Sequence, residues 1–203
     1  MPTLNETWDS DRDPLVALRA GDAGLFEAFV VAESRTFLAF FRRLGVGPSE
    51  AEDLVQDLFL KLFKHASTYQ PSGRFWAFAF RIARNAWIDR SRRQAVRPRL
   101  VGGSSLGDEL SGFEAHMQEP SPAPSPVMVA ERNEEAGRVT IALSQLSDAQ
   151  RMVFELGVIQ ELPYVDIAQV LEIPEGTVKS RMFHAIRNLR EILEAGNDKR
   201  ARS

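Results

Sequence analysis

The chain has 203 residues, 44% of them hydrophobic and 26% charged, the balance of an ordinary soluble globular protein with room for one or two small domains. It holds no cysteine, which excludes a disulfide framework and any thiolate metal site, and His65, His116 and His184 lie too far apart in sequence to suggest an imidazole cluster, so no metal and no cofactor is expected. The net charge of −3 argues against a uniformly basic nucleic-acid binder, but it averages an uneven distribution: from Arg74 to Arg99 eight arginines stand against one acid, Asp89.

The opening stretch, MPTLNETWDSDRD, is polar and acidic, unlike a signal peptide, and no apolar run approaches the ~20 residues of a spanning helix. A cytoplasmic chain without membrane insertion is the expectation. Asp13-Pro14 reads as a helix start, with Asp as N-cap and Pro in the first turn, and that short helix stops at Gly21. A second helix begins near Asp22 and carries Leu25, Phe26, Phe29, Val30, Phe37, Phe40, Phe41 and Leu44 on an aromatic-rich face. Ser49-Glu50-Ala51-Glu52 has the form of a capping box. The helix it opens turns Leu54, Val55, Leu58, Phe59, Leu62 and Phe63 inward and leaves Asp53, Gln56, Asp57 and Lys61 outside. After the loop from Ser67 to Gly73 comes a fourth helix, Arg74 to Arg93, with Phe75, Phe78, Ile82 and Ala86 on its inner side. Four helices rich in Phe suffice for a compact all-α domain, placed at residues 13–99.

Periodicity then collapses. Residues 100–127 are dominated by Gly, Ser and Pro and end in Pro120-Ser-Pro-Ala-Pro-Ser-Pro126, a linker with extended polyproline character. Fully extended, such a linker spans up to roughly 90 Å, enough to let two domains sit far apart. A second helical domain is placed at 128–194. It opens with a helix over about Val129 to Ser144, followed by a capping box at Ser147 to Gln150 and a helix with Met152, Val153, Leu156 and Val158. Then come two apolar-periodic segments joined by Glu172-Ile-Pro-Glu-Gly176. The second segment buries a row of Val178, Met182, Ile186 and Leu189 and presents Lys179, Ser180, Arg181, His184 and Arg187. A tight Gly-containing turn between two short helices, the second basic on its free face, makes a helix-turn-helix whose recognition helix would enter the major groove. Phe183 lies one residue off the apolar row, where it either joins the core or touches a thymine methyl. The fold class is therefore all-α: two small helical domains on a flexible linker, the C-terminal one containing a helix-turn-helix. No strand and no internal repeat is expected.

Two further patches have more than one reading. The Arg74–Arg99 segment mixes arginines with Trp76, Phe78, Phe80 and Trp87, a combination that suits unpaired bases because rings stack on bases while guanidinium groups hold phosphates. It also fits a solvated basic helix whose aromatics are core. Asp53, Gln56 and Asp57 taken alone read as a solvated helix face. No phosphate-cradling Gly loop, carboxylate pair against His, or Ser/His arrangement supports catalysis, so no enzyme and no catalytic residue is expected.

Three stretches in this order, AEDLVQDLFLKLF, FWAFAFRIARNAWIDRSRR and ALSQLSDAQRMVFELGVIQELPYVDIAQVLEIPEGTVKSRMFHAIRNLREIL, closely resemble the extracytoplasmic-function sigma factors of bacteria, small two-domain members of the primary sigma family. The resemblance covers about Asp13 to Leu193 apart from the linker. It implies a promoter-specificity subunit that binds core RNA polymerase and reads the −35 and −10 elements while helping to melt DNA. The third helix resembles the surface that docks on the β′ clamp helices, with Asp53, Gln56 and Asp57 facing them; the β subunit is a further implied contact. The 67–73 loop and fourth helix resemble the part that reads the −10 element as a single strand with a flipped base, which places Tyr69, Trp76, Asn85, Asp89, Arg92 and Arg93 there. Lys179, Ser180, Arg181, Phe183, His184 and Arg187 fall on the −35-reading helix, with His184 where many relatives carry Arg. An anti-sigma factor is an implied partner. The linker acids Asp108, Glu109, Glu114 and Glu119 suit either a basic RNA channel or plain solubility. A free-standing helix-turn-helix regulator of duplex operators is the competing function, and it has no need of the block from Glu52 to Arg93; a helical enzyme or scaffold using the basic helix for a protein partner is a third.

Overall fold

The computed structural model describes residues 8–9, 12–96 and 141–200. Among them the chain is helical without strands: α1 (Pro14–Arg19), α2 (Ala23–Arg43), α3 (Pro48–His65), α4 (Phe75–Val96), α5 (Asp148–Phe154), a π turn (Glu155–Ile159), α6 (Tyr164–Leu171) and α7 (Glu175–Arg200). Residues 141–144 are also helical. The rest of the expected Val129–Ser144 helix and the linker at 100–127 lie outside the described residues.

Asp13 caps α1 as its sequence predicts, accepting the Leu15 and Val16 amides. The same carboxylate accepts the Tyr69 hydroxyl at 2.7 Å, and Arg19 Nη1 donates to the Tyr69 carbonyl at 3.1 Å. One acid thus ties the first helix to the loop after α3. Burial, then the hydrogen bond to Asp13 and its negative charge, raise the Tyr69 pKa. The raised value favours the neutral phenol in the fold, so that contribution is complete below an ordinary tyrosine pKa of about 10 and is lost at higher pH. Asp13→Ala removes a cap and the acceptor of a buried hydroxyl, an expected loss of about 2–3 kcal/mol. Thermal melting should show it, with Tyr69→Phe giving roughly half.

The capping box expected at Ser49 does not form. Gly47 is the N-cap of α3 and Pro48 occupies the first turn, because the ring presets the helical φ one residue earlier. Glu50 instead reaches α4, accepting Arg90 Nε at 3.2 Å and Gln94 Nε2 at 3.2 Å. The second box is present in full: the Ser147 hydroxyl accepts the Gln150 amide while the Gln150 side chain accepts the Ser147 amide.

Phe29, Phe37, Phe40, Phe41 and Phe80 are fully buried and meet mostly in tilted and edge-on pairs, such as Phe37–Phe59 at 5.8 Å and Phe40–Phe80 at 5.3 Å. Two inner faces differ from expectation. Phe63 of α3 is exposed, its ring meeting that of Phe26 at 5.9 Å. On α4 the buried side is Phe75, Ala77, Ala79, Phe80, Ala83 and Ala86, whereas Phe78 and Ile82 are only partly covered. Alanines carry this face because α4 lies close to its neighbours, and the apolar signal of the larger residues points slightly off the true core.

The C-terminal helices carry three corrections. After Phe154 the chain widens into the π turn, which leaves Val158 and Ile159 exposed while Leu156 stays in the core. In the helix-turn-helix, the left-handed residue of the turn is Glu172 (φ 56°), and Gly176 sits inside the first turn of α7 with open space around it. The buried row of α7 is Val178, Met182, Ala185 and a partly buried Leu189, not Ile186, which is exposed. Gly157 is closely packed, since a Cβ would lie 2.5 Å from Met182 Cε and 3.1 Å from Ile167 Cδ1, so both side-chain ends would have to shift to admit one. Gly157→Val should therefore cost about 1–3 kcal/mol, read as a lower Tm.

The two halves are not apart. α6 packs along α4, and the apolar core runs through both, from Phe80 and Ala83 to Ile167 and Val170. Arg43, in the last turn of α2, enters the C-terminal half and meets Glu155, which is 2% exposed.

Candidate nucleic-acid interface

Three surfaces carry the residues singled out by sequence. The first is the outer face of α3. Asp53, Gln56 and Asp57 are all exposed on one stripe, because they fall between the buried positions Leu54, Val55, Leu58 and Phe59. The structure adds Leu60, 56% exposed and one turn beyond Gln56 and Asp57. With Phe63, 55% exposed and three residues further on, it puts an apolar end on the acidic stripe. The signal for Leu60 was in the spacing, but an apolar residue at a helix position reads first as core.

The second surface is built on the 66–74 loop and α4. Arg81, Asn85, Asp89 and Arg92 recur at steps of four, four and three and are exposed together; Arg93 is exposed at the helix end. Arg84 Nη1 donates to the Asn85 carbonyl oxygen at 3.3 Å, and Arg93 Nε to the Asp89 backbone carbonyl at 3.2 Å. Arg81 lies over the Phe78 ring at 5.5 Å, and Phe78 in turn packs on Tyr69 at 4.8 Å. Beside them opens a cleft of about 270 Å³ whose lining includes His65, Tyr69, Gln70, Arg74, Phe78 and Arg81 from the first half and Gln169 from α6. Aromatic walls with guanidinium and amide groups at the rim suit a planar base carrying a phosphate.

Tyr69 and Trp76 are placed differently from the exposed residues. Tyr69 is buried and hydrogen-bonded to Asp13, so only part of it is offered to the cleft. Trp76 is half-buried in a cluster with Trp8 (5.5 Å), Phe75 (5.5 Å) and Phe80 (6.0 Å) and borders a second cleft formed with Leu162, Pro163 and Asp166. Glu33 also lines that second cleft, and burial raises its pKa against a smaller opposing hydrogen bond from Thr36. Glu33→Gln is expected to raise Tm, and the gain should shrink as the pH falls, because the raised pKa makes the charged carboxylate the costlier form in the fold.

The third surface is α7. Lys179, Ser180, Phe183, His184 and Arg187 are exposed along one stripe opposite the Val178–Met182–Ala185 row, and Arg181, half-exposed, flanks that row. Phe183, 64% exposed, does not join the core; its ring meets His184 edge-on at 5.5 Å. Lys179 pairs with Glu175 at 2.8 Å, and Arg187 with Glu191 at 3.6 Å. The hydrogen bond and the charge of Glu175 raise the Lys179 pKa. An exposed aromatic between two cations, near the N-terminus of a long helix, is a surface for a groove rather than for a core.

Residues 29–97 match the family model for sigma-70 region 2, and residues 138–189 match that for sigma-70 region 4. The RNA polymerase sigma factor CnrH of Cupriavidus metallidurans is 31% identical over 192 residues, which are 94% of this chain and 98% of that protein. Its solved structure, in complex with the cytosolic domain of CnrY, superposes with a TM-score of 0.65 at 23% identity, covering 92% of this chain and 99% of that one. The ECF RNA polymerase sigma factor SigL of Mycobacterium tuberculosis is 32% identical over 178 residues, 86% of this chain and 92% of SigL. A sigma factor RpoE from Bartonella quintana, solved with the anti-sigma factor NepR, shares the fold with a TM-score of 0.59 at 24% identity over 83% of this chain and 96% of that one. No helix among the described residues is long and apolar enough to cross a membrane.

Proposed function

From the premise that this chain belongs to the sigma-70 family of RNA polymerase sigma factors, in its extracytoplasmic-function group, we propose how its surfaces divide the work of promoter-specific initiation. As a sigma factor it binds core RNA polymerase and promoter DNA. Family members are not enzymes, and the polymerase carries out the chemistry. A free-standing operator-binding regulator is not favoured, because such a protein has no use for region 2.

Residues 13–99 form the docking and melting domain, 100–127 the linker and 128–194 the upstream-reading domain. The acidic stripe Asp53, Gln56 and Asp57, with Leu60 at its C-terminal end, docks on the polymerase clamp helices. The 66–74 loop and the Arg81–Asn85–Asp89–Arg92 stripe take the non-template strand of the −10 element, with Arg93 at its end. In this assignment Tyr69 positions the loop and contributes a ring edge, and Trp76 supports the wall. Lys179, Ser180, Arg181, Phe183, His184 and Arg187 read the −35 element. An anti-sigma factor is the expected regulatory partner, as in the RpoE–NepR complex.

The observation that carries the reading is the coexistence of an arginine–aromatic cleft and a basic recognition stripe on opposite halves of one short chain. Melting costs about 1.4 kcal/mol per base-pair step, which binding of the unpaired strand offsets. Two modest DNA-binding units gain avidity only when something holds them at the right separation. Core polymerase is that frame. Run-off transcription with core enzyme should depend on this protein, and a promoter fragment should bind the holoenzyme far more tightly than the free chain. Equal affinities of the two would overturn the division of labour.

A further inference from the structure

Tyr69 is gripped at both ends by one short helix. Its buried hydroxyl donates to Asp13 Oδ2 at 2.7 Å, and its carbonyl accepts Arg19 Nη1 at 3.1 Å. Asp13 is the N-cap of α1 and Arg19 its last residue, so the two ends of a six-residue helix hold the two ends of one tyrosine. The loop also hangs from the end of α3, where the His65 carbonyl accepts the Thr68 amide at 3.1 Å and the Tyr69 amide at 2.8 Å. Beyond Tyr69 the fastening stops. Gln70 and Ser72 are exposed and, among the described residues, have no hydrogen-bond partner, yet both line the cleft beside Phe78 and Arg81. The Tyr69 carbonyl is therefore the last fixed point before a free stretch. A trans peptide is planar, so holding that carbonyl toward Arg19 turns the Gln70 N–H the opposite way. Pro71 confines Gln70 to extended backbone and fixes its own φ, which leaves little slack before Gly73, whose φ of 70° turns the chain into α4.

We propose that α1 is a brace for strand reading: Asp13 and Arg19 are positioning residues that aim the 70–73 stretch at the cleft and so set how strictly the bases of the −10 strand are told apart. The proposal rests on the assignment of the 66–74 loop and α4 to that strand. Neither residue has to touch DNA. A loop held in one conformation presents the Gln70 amide and the Ser72 hydroxyl in one geometry, and a wrong base leaves them unpaired. A loosened loop re-forms around the wrong base, so discrimination falls while the arginines of α4 still hold phosphates.

The test uses the full chain assembled with core polymerase. Filter binding gives the affinity for a promoter that the holoenzyme transcribes and for copies with the −10 element changed one base at a time. Arg19→Met keeps the stem and removes the donor. Asp13→Ser keeps a helix cap, but its single oxygen cannot serve both the cap and Tyr69. Each should narrow the affinity ratio between correct and altered promoter about fivefold at the most discriminating position, with the salt dependence of binding unchanged. Asp22→Ala removes the cap of α2, where Asp22 accepts the Leu25 amide, and no bond to Tyr69; it should lower Tm and leave the ratio intact. An unchanged ratio in Arg19→Met and Asp13→Ser overturns the brace. So does an equal loss in Asp22→Ala, which would make the effect one of stability alone. A salt slope shallower by about one with the ratio preserved also overturns it, because Arg19 then holds a phosphate directly. Gln70→Ala with Ser72→Ala tests the functional reading by itself. If that pair leaves the ratio unchanged, the loop does not read the strand and the brace falls with the assignment; if it narrows the ratio and the α1 variants do not, the brace alone falls.

Discussion

Asp53→Arg combined with Asp57→Arg should lower affinity for core RNA polymerase at least about 100-fold, equivalent to roughly 2.7 kcal/mol. Both carboxylates are exposed on α3 and sit on the stripe opposite its buried face. Each reversal removes an attraction and introduces a repulsion, and the two residues are one helical turn apart, so they act on the same part of the partner. The fold should not suffer, because neither side chain belongs to the core; Tm is expected to move little. Leu60→Ala should weaken the same complex by a smaller factor, about tenfold, since an apolar side chain beside the acidic stripe acts mainly by excluding water. A pull-down with core enzyme, quantified by titration, reads all three. Retained binding by the double reversal would remove α3 from the docking surface.

The second large effect is expected on α7. Lys179→Glu with Arg187→Glu should reduce holoenzyme affinity for a promoter carrying both elements about 100-fold and make its salt dependence shallower by about two ions. The two cations lie at opposite ends of the exposed stripe, with Phe183 and His184 between them. In the free chain each is paired with an acid one turn away, Glu175 and Glu191, so DNA must displace an intrahelical partner. It follows that Glu175→Gln should strengthen promoter binding slightly, by releasing Lys179 for a phosphate. Filter binding across a salt series distinguishes these outcomes. A double reversal that leaves the salt slope unchanged would mean that α7 does not approach the backbone.

Much of this molecule was legible as sequence, for an identifiable reason. Helix periodicity, Asp13-Pro14, Ser147–Gln150 and the spacing of Asp53, Gln56 and Asp57 are local, set by contacts within four residues, and these elements appear where expected. The misreadings are also local but competitive. Pro48 outcompetes Ser49 for the start of α3, and Ala185 takes the place expected of Ile186 in the buried row, since steps of three and of four after Met182 both stay near one helix face.

The helix-turn-helix, the basic stripe of α7 and the arginine-rich fourth helix with its aromatics were determined by the sequence itself, because each is a periodic pattern along one helix. What only the tertiary structure decided is how the two halves meet. Arg43 and Glu155 are 112 positions apart, Arg74 and Asp166 belong to different domains, and nothing in either neighbourhood marks them as partners. Charge complementarity across such a distance becomes visible only once packing of α6 along α4 brings the side chains within a few ångströms, where a Coulomb interaction outweighs screening by water.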